Sequence, residues 1–235
     1  MDQVNGARGR RGIRRIRRDG GFTLLELMVV VILIAILAVI AIPSMSAAKT
    51  ERRVYQDAGS VMQLLRTART RALARGAATV VSLTSNGTTD RGKFQIWEAV
   101  GLNPSGSGAP RWPVSSCRTP NWTLAASNTS VNFIEEVDLN LSDSTLGMQT
   151  QIRSFSVAAG VAKAAVYICY TPLGRALYSE TAPQFAVATP MLDALEVRVG
   201  RCSGTTRLGL VRSVIVPPSG MARLAIADSS ASGCP

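Results

Sequence analysis

Histidine is absent from all 235 residues. That excludes, within this chain, a Ser-His-Asp or Cys-His nucleophile, a histidine-ligated metal and an imidazole pH switch. Aromatic residues are scarce at 5%, and charged residues, at 17%, fall below the roughly 25% usual for soluble domains. The hydrophobic 46% is therefore largely aliphatic and must be concentrated somewhere. The four cysteines form no CxxC or zinc-type spacing, and a thiolate metal site would need all of them together. Paired acid–base carboxylates are poorly served too, because the adjacent Glu135 and Glu136 face opposite sides of a strand. Asp138 does share a face with Glu136, as a surface strand also explains. No enzyme, cofactor or metal site is expected.

What is present is uneven. Lys and Arg outnumber Asp and Glu by 26 to 15. Residues 1–21 alone hold seven arginines against two aspartates, in a Gly/Arg-rich stretch with almost nothing to bury. This leader is not expected to belong to a fold. It is followed by residues 22–42, an apolar run broken by one charge, Glu26, and ended by Pro43. As an α-helix, 21 residues reach about 31 Å, enough for a bilayer core. The basic leader holds its end in the cytoplasm, which places the rest of the chain outside. The run is too long for the core of a secretory signal and no small-residue cleavage site follows it cleanly, so it is expected to be retained. Glu26 is the odd residue. A carboxylate deep in a span costs about 2.5–3.5 kcal/mol and calls for a partner; near the helix end it is an ordinary interfacial residue.

Residues 43–76 read as an amphipathic continuation of the helix. Val54, Ala58, Val61, Leu65, Ala68 and Ala72 recur at spacings of four and three and form one apolar stripe. Arg52, Arg53, Arg66, Arg69 and Arg75 lie mostly off it and read as a solvated face. Pro43 is expected to bend or loosen the helix, and Gly76 to stop it. From Ala77 the period shortens, and strands are expected at Thr79–Leu83, Phe94–Glu98, Asn132–Leu139, Gln151–Val157, Ala165–Tyr170, Leu195–Val199, Leu208–Val216 and Met221–Ile226. Ser85-Asn86-Gly87 and Pro217-Pro218-Ser219-Gly220 read as hairpin turns. Gly101–Trp122, rich in Pro and Gly, reads as an irregular loop. The result is an α+β fold: a long N-terminal helix packed on an antiparallel sheet or sandwich, the head occupying residues 77–235.

Gly21-Phe22-Thr23-Leu24-Leu25-Glu26, between a basic leader and the aliphatic run to Pro43, resembles the class III signal of type IV pilins and type II secretion pseudopilins. The resemblance implies that a prepilin peptidase cuts between Gly21 and Phe22 and that the new Phe22 amine is methylated. It also implies that Glu26 is neutralised in the filament by the N-terminal ammonium of a neighbouring subunit, setting partner and register, and that the helix near Pro43 can melt. Tyr170-Thr171-Pro172-Leu173-Gly174-Arg175 and the segment Val214–Arg223, centred on Gly220, resemble the two strand–turn elements of H-type pseudopilins and FimT/FimU minor pilins. Ordinary turn glycines would look the same. The implied protein is a non-catalytic minor pilin or pseudopilin, held in the bacterial inner membrane with its head in the periplasm before it joins a filament or tip complex. Its implied partners are other pilins or pseudopilins, the peptidase, the inner membrane and a tip adhesin; the alternatives are a type II secretion pseudopilin and a DNA-uptake pilin.

Cys117, Cys169, Cys202 and Cys234 all fall in the part assigned to the oxidising side, where an even count favours disulfides. Of the three pairings, Cys117–Cys169 with Cys202–Cys234 is the one expected, pinning the long loop to a central strand and the tail to the last hairpin. Arg198, Arg201, Arg207, Arg212 and Arg223 crowd the C-terminal strands and could meet DNA phosphates. A solubilising sheet edge explains them equally, and the aromatic interleaving of single-strand binders is missing.

Overall fold

The computed structural model describes residues 21–85, 92–101, 112–118, 122–125, 129–139, 148–154, 161–180, 185, 189–203 and 206–226. The chain divides into two compact units, Met1–Met45 and Ser46–Pro235. Helix α1 (Leu24–Arg75) supplies residues to both.

In the first unit α1 starts at a side-chain cap. The Glu26 N–H donates to Thr23 Oγ1 at 3.2 Å, and the Leu27 N–H donates to the Thr23 carbonyl at 3.2 Å. Thr23 is thus the N-cap, satisfying one of the orphan donors of the first turn. Among the described residues of this unit the apolar side chains are uncovered: Phe22, Leu24, Leu25, Ile32, Leu37 and Val39 are all exposed. Among the described residues no helix is long and apolar enough to cross a membrane; the described side chains of the run are continuous only as far as Val39.

The second unit packs its share of α1 against two antiparallel sheets. The strands are β1 (Thr79–Thr84), β2 (Lys93–Gly101), β3 (Trp112–Pro113), β4 (Val131–Asp138), β5 (Met148–Ser154), β6 (Val161–Lys163), β7 (Ala165–Tyr170), β8 (Ala176–Ser179), β9 (Thr189–Pro190), β10 (Leu195–Ser203), β11 (Thr206–Val216) and β12 (Arg223–Ile226). One sheet runs β3-β2-β1-β7-β8-β9, with β4 also on β2; the other runs β12-β11-β10-β5-β6. All six residues of the expected helix stripe are fully buried. They share one core with Val81, Leu83, Phe94, Ile96, Val166 and Ile168 of the first sheet and Ile152, Val197, Val199, Val214 and Val216 of the second. The three alanines of the stripe keep that face of the helix thin. At its end the Gly76 N–H donates to the Ala72 carbonyl at 3.1 Å, with Gly76 at φ +67°, as a C-terminal glycine cap does.

The first sheet is buried on both faces. Ala78, Val80, Trp97, Ala99 and Cys169 turn away from the helix and meet Cys117, Trp122, Val131 and Phe185 in a second cluster. This explains why β1 is buried through five of its six residues instead of alternating with polar ones. Val131 and Phe185 supply part of the covering layer, and the rest comes from the Pro/Gly-rich segment. Where it is described it is not an unattached loop: β3 pairs with Val100 and Gly101, the Ala78 N–H donates to the Val114 carbonyl at 2.6 Å, and Trp122 Nε1 donates to the Cys117 carbonyl at 2.8 Å. The hairpin tip expected at Asn86-Gly87 lies outside the described residues.

Candidate assembly segment and the surfaces of the head

Phe22 is 80% exposed. A Cβ on Gly21 would meet nothing within 4 Å, and Gly21 is not among the positive-φ glycines. No packing or backbone requirement of this fold therefore asks for glycine before Phe22. The only local role visible for Glu26 is at the first turn of α1, where a carboxylate opposes the positive end of the helix dipole. Pro43 lies within the continuous helix α1, so the helix is not interrupted there; its side chain is outside the described set.

Arg52, Arg53, Arg66 and Arg75 of α1 are exposed, as expected of a solvated face, and Arg69 is half-buried, but several arginines of this helix are also tied to the head. Arg66 Nε donates to the Ala222 carbonyl at 3.1 Å. Arg71 Nε lies 2.7 Å from Glu98 Oε2, and Arg75 Nε 2.9 Å from Glu98 Oε1, the latter off line for a hydrogen bond. Glu98 is 1% exposed. It sits on the helix side of β2 and ties the last two turns of α1 to the sheet. Periodicity placed Arg66 and Arg75 off the apolar stripe but says nothing about a buried carboxylate waiting beside it. The signal available was Glu98 itself, a charge inside the otherwise uncharged run Phe94–Val100.

The two glycine turns, far apart in sequence, meet. Gly174 and Gly220 both hold left-handed backbone, at φ +77° and +76°, in turns closed by Gly174 N–H to the Thr171 carbonyl and Gly220 N–H to the Pro217 carbonyl, each 2.8 Å. The Tyr170 hydroxyl donates to the Gly220 carbonyl at 3.2 Å. A Cβ on Gly220 would lie 2.9 Å from the Tyr170 ring and 3.2 Å from the Ala176 Cβ. Burial pushes the Tyr170 hydroxyl pKa well up, against the pull of Arg69.

Cys117 and Cys169 are joined, their Cα atoms 6.2 Å apart. Cys202 is also disulfide-bonded; Cys234, its expected partner, lies outside the described residues. The five C-terminal arginines do not form one exposed edge. Arg198 bonds Glu196 at 2.8 Å, and that carboxylate also accepts from the Ser213 hydroxyl. Arg201 is 7% exposed and gives Nη1 to Thr50 Oγ1 at 3.0 Å. The Arg212 guanidinium stands 5.7 Å from the centre of the Tyr55 ring. Arg223 is exposed on the edge strand β12, and the Arg207 side chain lies outside the described set.

Elsewhere, Glu136 meets Lys93 at 3.0 Å and Gln95 at 2.5 Å. Hydrogen bonding from Gln95 and the charge of Lys93 hold its pKa below the ordinary value despite some desolvation. Among the described residues, shallow open grooves lie on the solvent face of α1 beside Tyr55, Gly59 and Gln63 and beside Thr67, Thr70 and Ala74. Neither is enclosed. Among the described residues no group of three His, Cys, Asp or Glu could hold a metal.

Residues 16–42 match the prokaryotic N-terminal methylation motif. Among curated proteins none matches the chain significantly. Among solved structures the chain is similar to the type IV minor pilin FimU of Pseudomonas aeruginosa (strain PAO1) in two crystal forms. The first shares 18% identity over 79% of this chain and 98% of that one, with a TM-score of 0.35; the second shares 17% over 77% and 98%, with a TM-score of 0.32.

Proposed function

We propose that this chain is a minor pilin or pseudopilin: an inner-membrane precursor, cut by a prepilin peptidase between Gly21 and Phe22 and methylated on the Phe22 amine, that assembles through α1 into a type IV pilus or its tip complex. One observation carries the reading. The methylation motif, residues 16–42, takes in the start of α1, and the described side chains from Phe22 to Val39 are apolar apart from Thr23 and Glu26 and largely exposed. A helix apolar on every side is stable only inside lipid or among other helices. A precursor needs the first environment and a filament subunit the second.

Glu26 fits both. At the helix start it is tolerated near the membrane surface; within a helical bundle it needs a cation, and the free amine that cleavage creates at Phe22 of a neighbouring subunit supplies one. The head then selects neighbours, and no chemistry is asked of it. Glu26→Val should still insert in the membrane but enter filaments poorly; wild-type amounts of the variant in sheared filaments would count against the charge pair.

Intact mass in mechanically sheared filaments and in the membrane fraction tests the whole reading. A mass beginning at methylated Phe22 in the sheared fraction supports a surface pilus. The same mass confined to the membrane fraction supports a secretion pseudopilus or a short initiating complex. A full-length mass in both fractions refutes the proposal.

A further inference from the structure

The chain carries a net charge of +11, yet one of its strands is acidic. β4 holds Glu135, Glu136 and Asp138, three of the chain's 15 acidic residues, and no Lys or Arg. It is the only described strand whose charges are all negative. It is also an edge, since among the described residues β4 pairs with β2 alone. Phe133 packs against the Trp97 ring, 5.2 Å between centres, and is still 44% exposed. Glu136 is occupied by Lys93, whereas Glu135 is exposed on the same strand.

Among the described residues four other strands lie at sheet edges. β3 and β9 have two residues each, and β9 includes Pro190, which has no N–H to give. β6 has three residues, and its Lys163 is already paired with Glu180. β12 is different. Its single charge is the exposed Arg223; it ends on Ile226, 66% exposed, and Met221 just before it is 55% exposed. An open edge is a template for any strand whose side chains suit it. Two β4 edges would bring carboxylates together, and two β12 edges offer each other no opposite charge. β4 against β12 matches a carboxylate to a guanidinium and an exposed ring to an exposed aliphatic chain.

We propose that the β12 edge of one copy docks on the β4 edge of a second, Arg223 toward Glu135 and Ile226 against Phe133, so that heads join by strand addition. The occupant is a second copy because one chain carries both members of the pair, an acidic edge and a basic edge with no carboxylate of its own. The two edges belong to different sheets of the same unit. The contact is therefore heterologous, leaving each docked copy with one edge still open, and it propagates from copy to copy unless the rotation closes a ring. The inference rests on the filament reading above and gives the heads a contact of their own beside the one made by α1.

A photo-crosslinking phenylalanine analogue placed at Ile226 of the full chain, in cells that carry the filament apparatus, tests this by peptide mapping of the products. Illumination should give a dimer of this chain in which the peptide holding residue 226 is joined to the peptide holding Val131–Asp138. Arg223→Glu should lower the dimer yield by about tenfold, because it sets like charges together. Arg223→Glu combined with Glu135→Arg should restore it, which a merely misfolded head would not do. Both side chains are exposed, so the far-ultraviolet spectrum should stay unchanged throughout. Crosslinks to β12 of the second copy, crosslinks only to a different protein, or a charge exchange that fails to restore the dimer would each overturn the proposal. So would the absence of a dimer when the chain is cleaved before Phe22 and present in sheared filaments. A chain that stays full length and out of filaments would bring down the filament reading itself and this contact with it, an outcome that intact mass separates from the others.

Discussion

Replacing Cys117 and Cys169 together by alanine should lower the stability of the Ser46–Pro235 unit by about 4 kcal/mol, the loop-closure entropy expected for a bridge of this span. The cysteines are 52 positions apart, and the loop they close contains β4, β5, β6 and most of β7. Against a typical total of about 5–15 kcal/mol that is a large fraction. It acts where the covering layer is thinnest, since Cys117 is the point at which that layer is fastened to β7. The protein carries its own reporter. All three tryptophans, Trp97, Trp112 and Trp122, lie in or beside the outer layer, and none belongs to the helix-facing core. Urea unfolding of the full chain in detergent, followed by tryptophan emission and by far-ultraviolet circular dichroism, should show the midpoint falling by about 2 M for a slope of roughly 2 kcal/mol/M. Both signals should move together, because β1, β2 and β7 give side chains to both clusters. An unchanged midpoint would refute the argument. So would a tryptophan transition that shifts while the helix signal does not, because the outer layer would then be separable from the core it shares strands with.

Glu98→Gln should cost about 2–3 kcal/mol, less than a fully buried pair because Arg75 is half exposed and can rehydrate; a loss within error of zero in the same urea assay would show that the Arg71–Glu98–Arg75 tie contributes nothing net. Gly220→Ala should cost about 2–4 kcal/mol from left-handed strain together with the clash against Tyr170 and Ala176, and Gly174→Ala less, since its Cβ would meet only Arg69 at 3.5 Å and Leu73 at 3.6 Å; equal losses would refute the close-approach argument. Asp57 is raised above 3.8 by burial, with Arg53 opposing. Its folded carboxyl thus binds a proton more tightly than the unfolded one, and its contribution becomes unfavourable as pH rises through that window and stays so above it. Asp57→Asn should therefore stabilise the head at neutral pH, with the gain vanishing well below pH 3.8; a gain that grows on acidification would reverse the sign. A bulky residue at Gly21 should abolish processing while leaving head stability unchanged, as the open space around Gly21 implies.

The parts of this molecule legible in the sequence are those in which a single element reports its own environment. The stripe from Val54 to Ala72 could be read because a helix packed on a sheet needs an apolar contact every three or four residues, and the longer strands because β-branched runs are bounded by turn residues. β3, β6, β8 and β9 are two to four residues long, too short for any period to register. They exist because neighbouring strands offer them hydrogen bonds. The two-sided burial of the first sheet was hidden for a related reason. Whether Val80 and Trp97 face water or a second layer depends on where the chain around Cys117 goes; the expected Cys117–Cys169 bridge fastens it to β7, but the tryptophan hydrogen bond that folds it over the sheet is encoded by no local pattern.

The arginines carry the lesson further. A basic residue off the apolar stripe has two stable fates, water or a buried acceptor, and the sequence around it is the same for both. Arg66 ends on a carbonyl, Arg71 and Arg75 on one carboxylate, Arg198 on another, and Arg201 on a hydroxyl with charge left over. Three of these four destinations neutralise or satisfy the cation within the head. The fourth is a neutral hydroxyl, brought to Arg201 from α1 by the packing of β10.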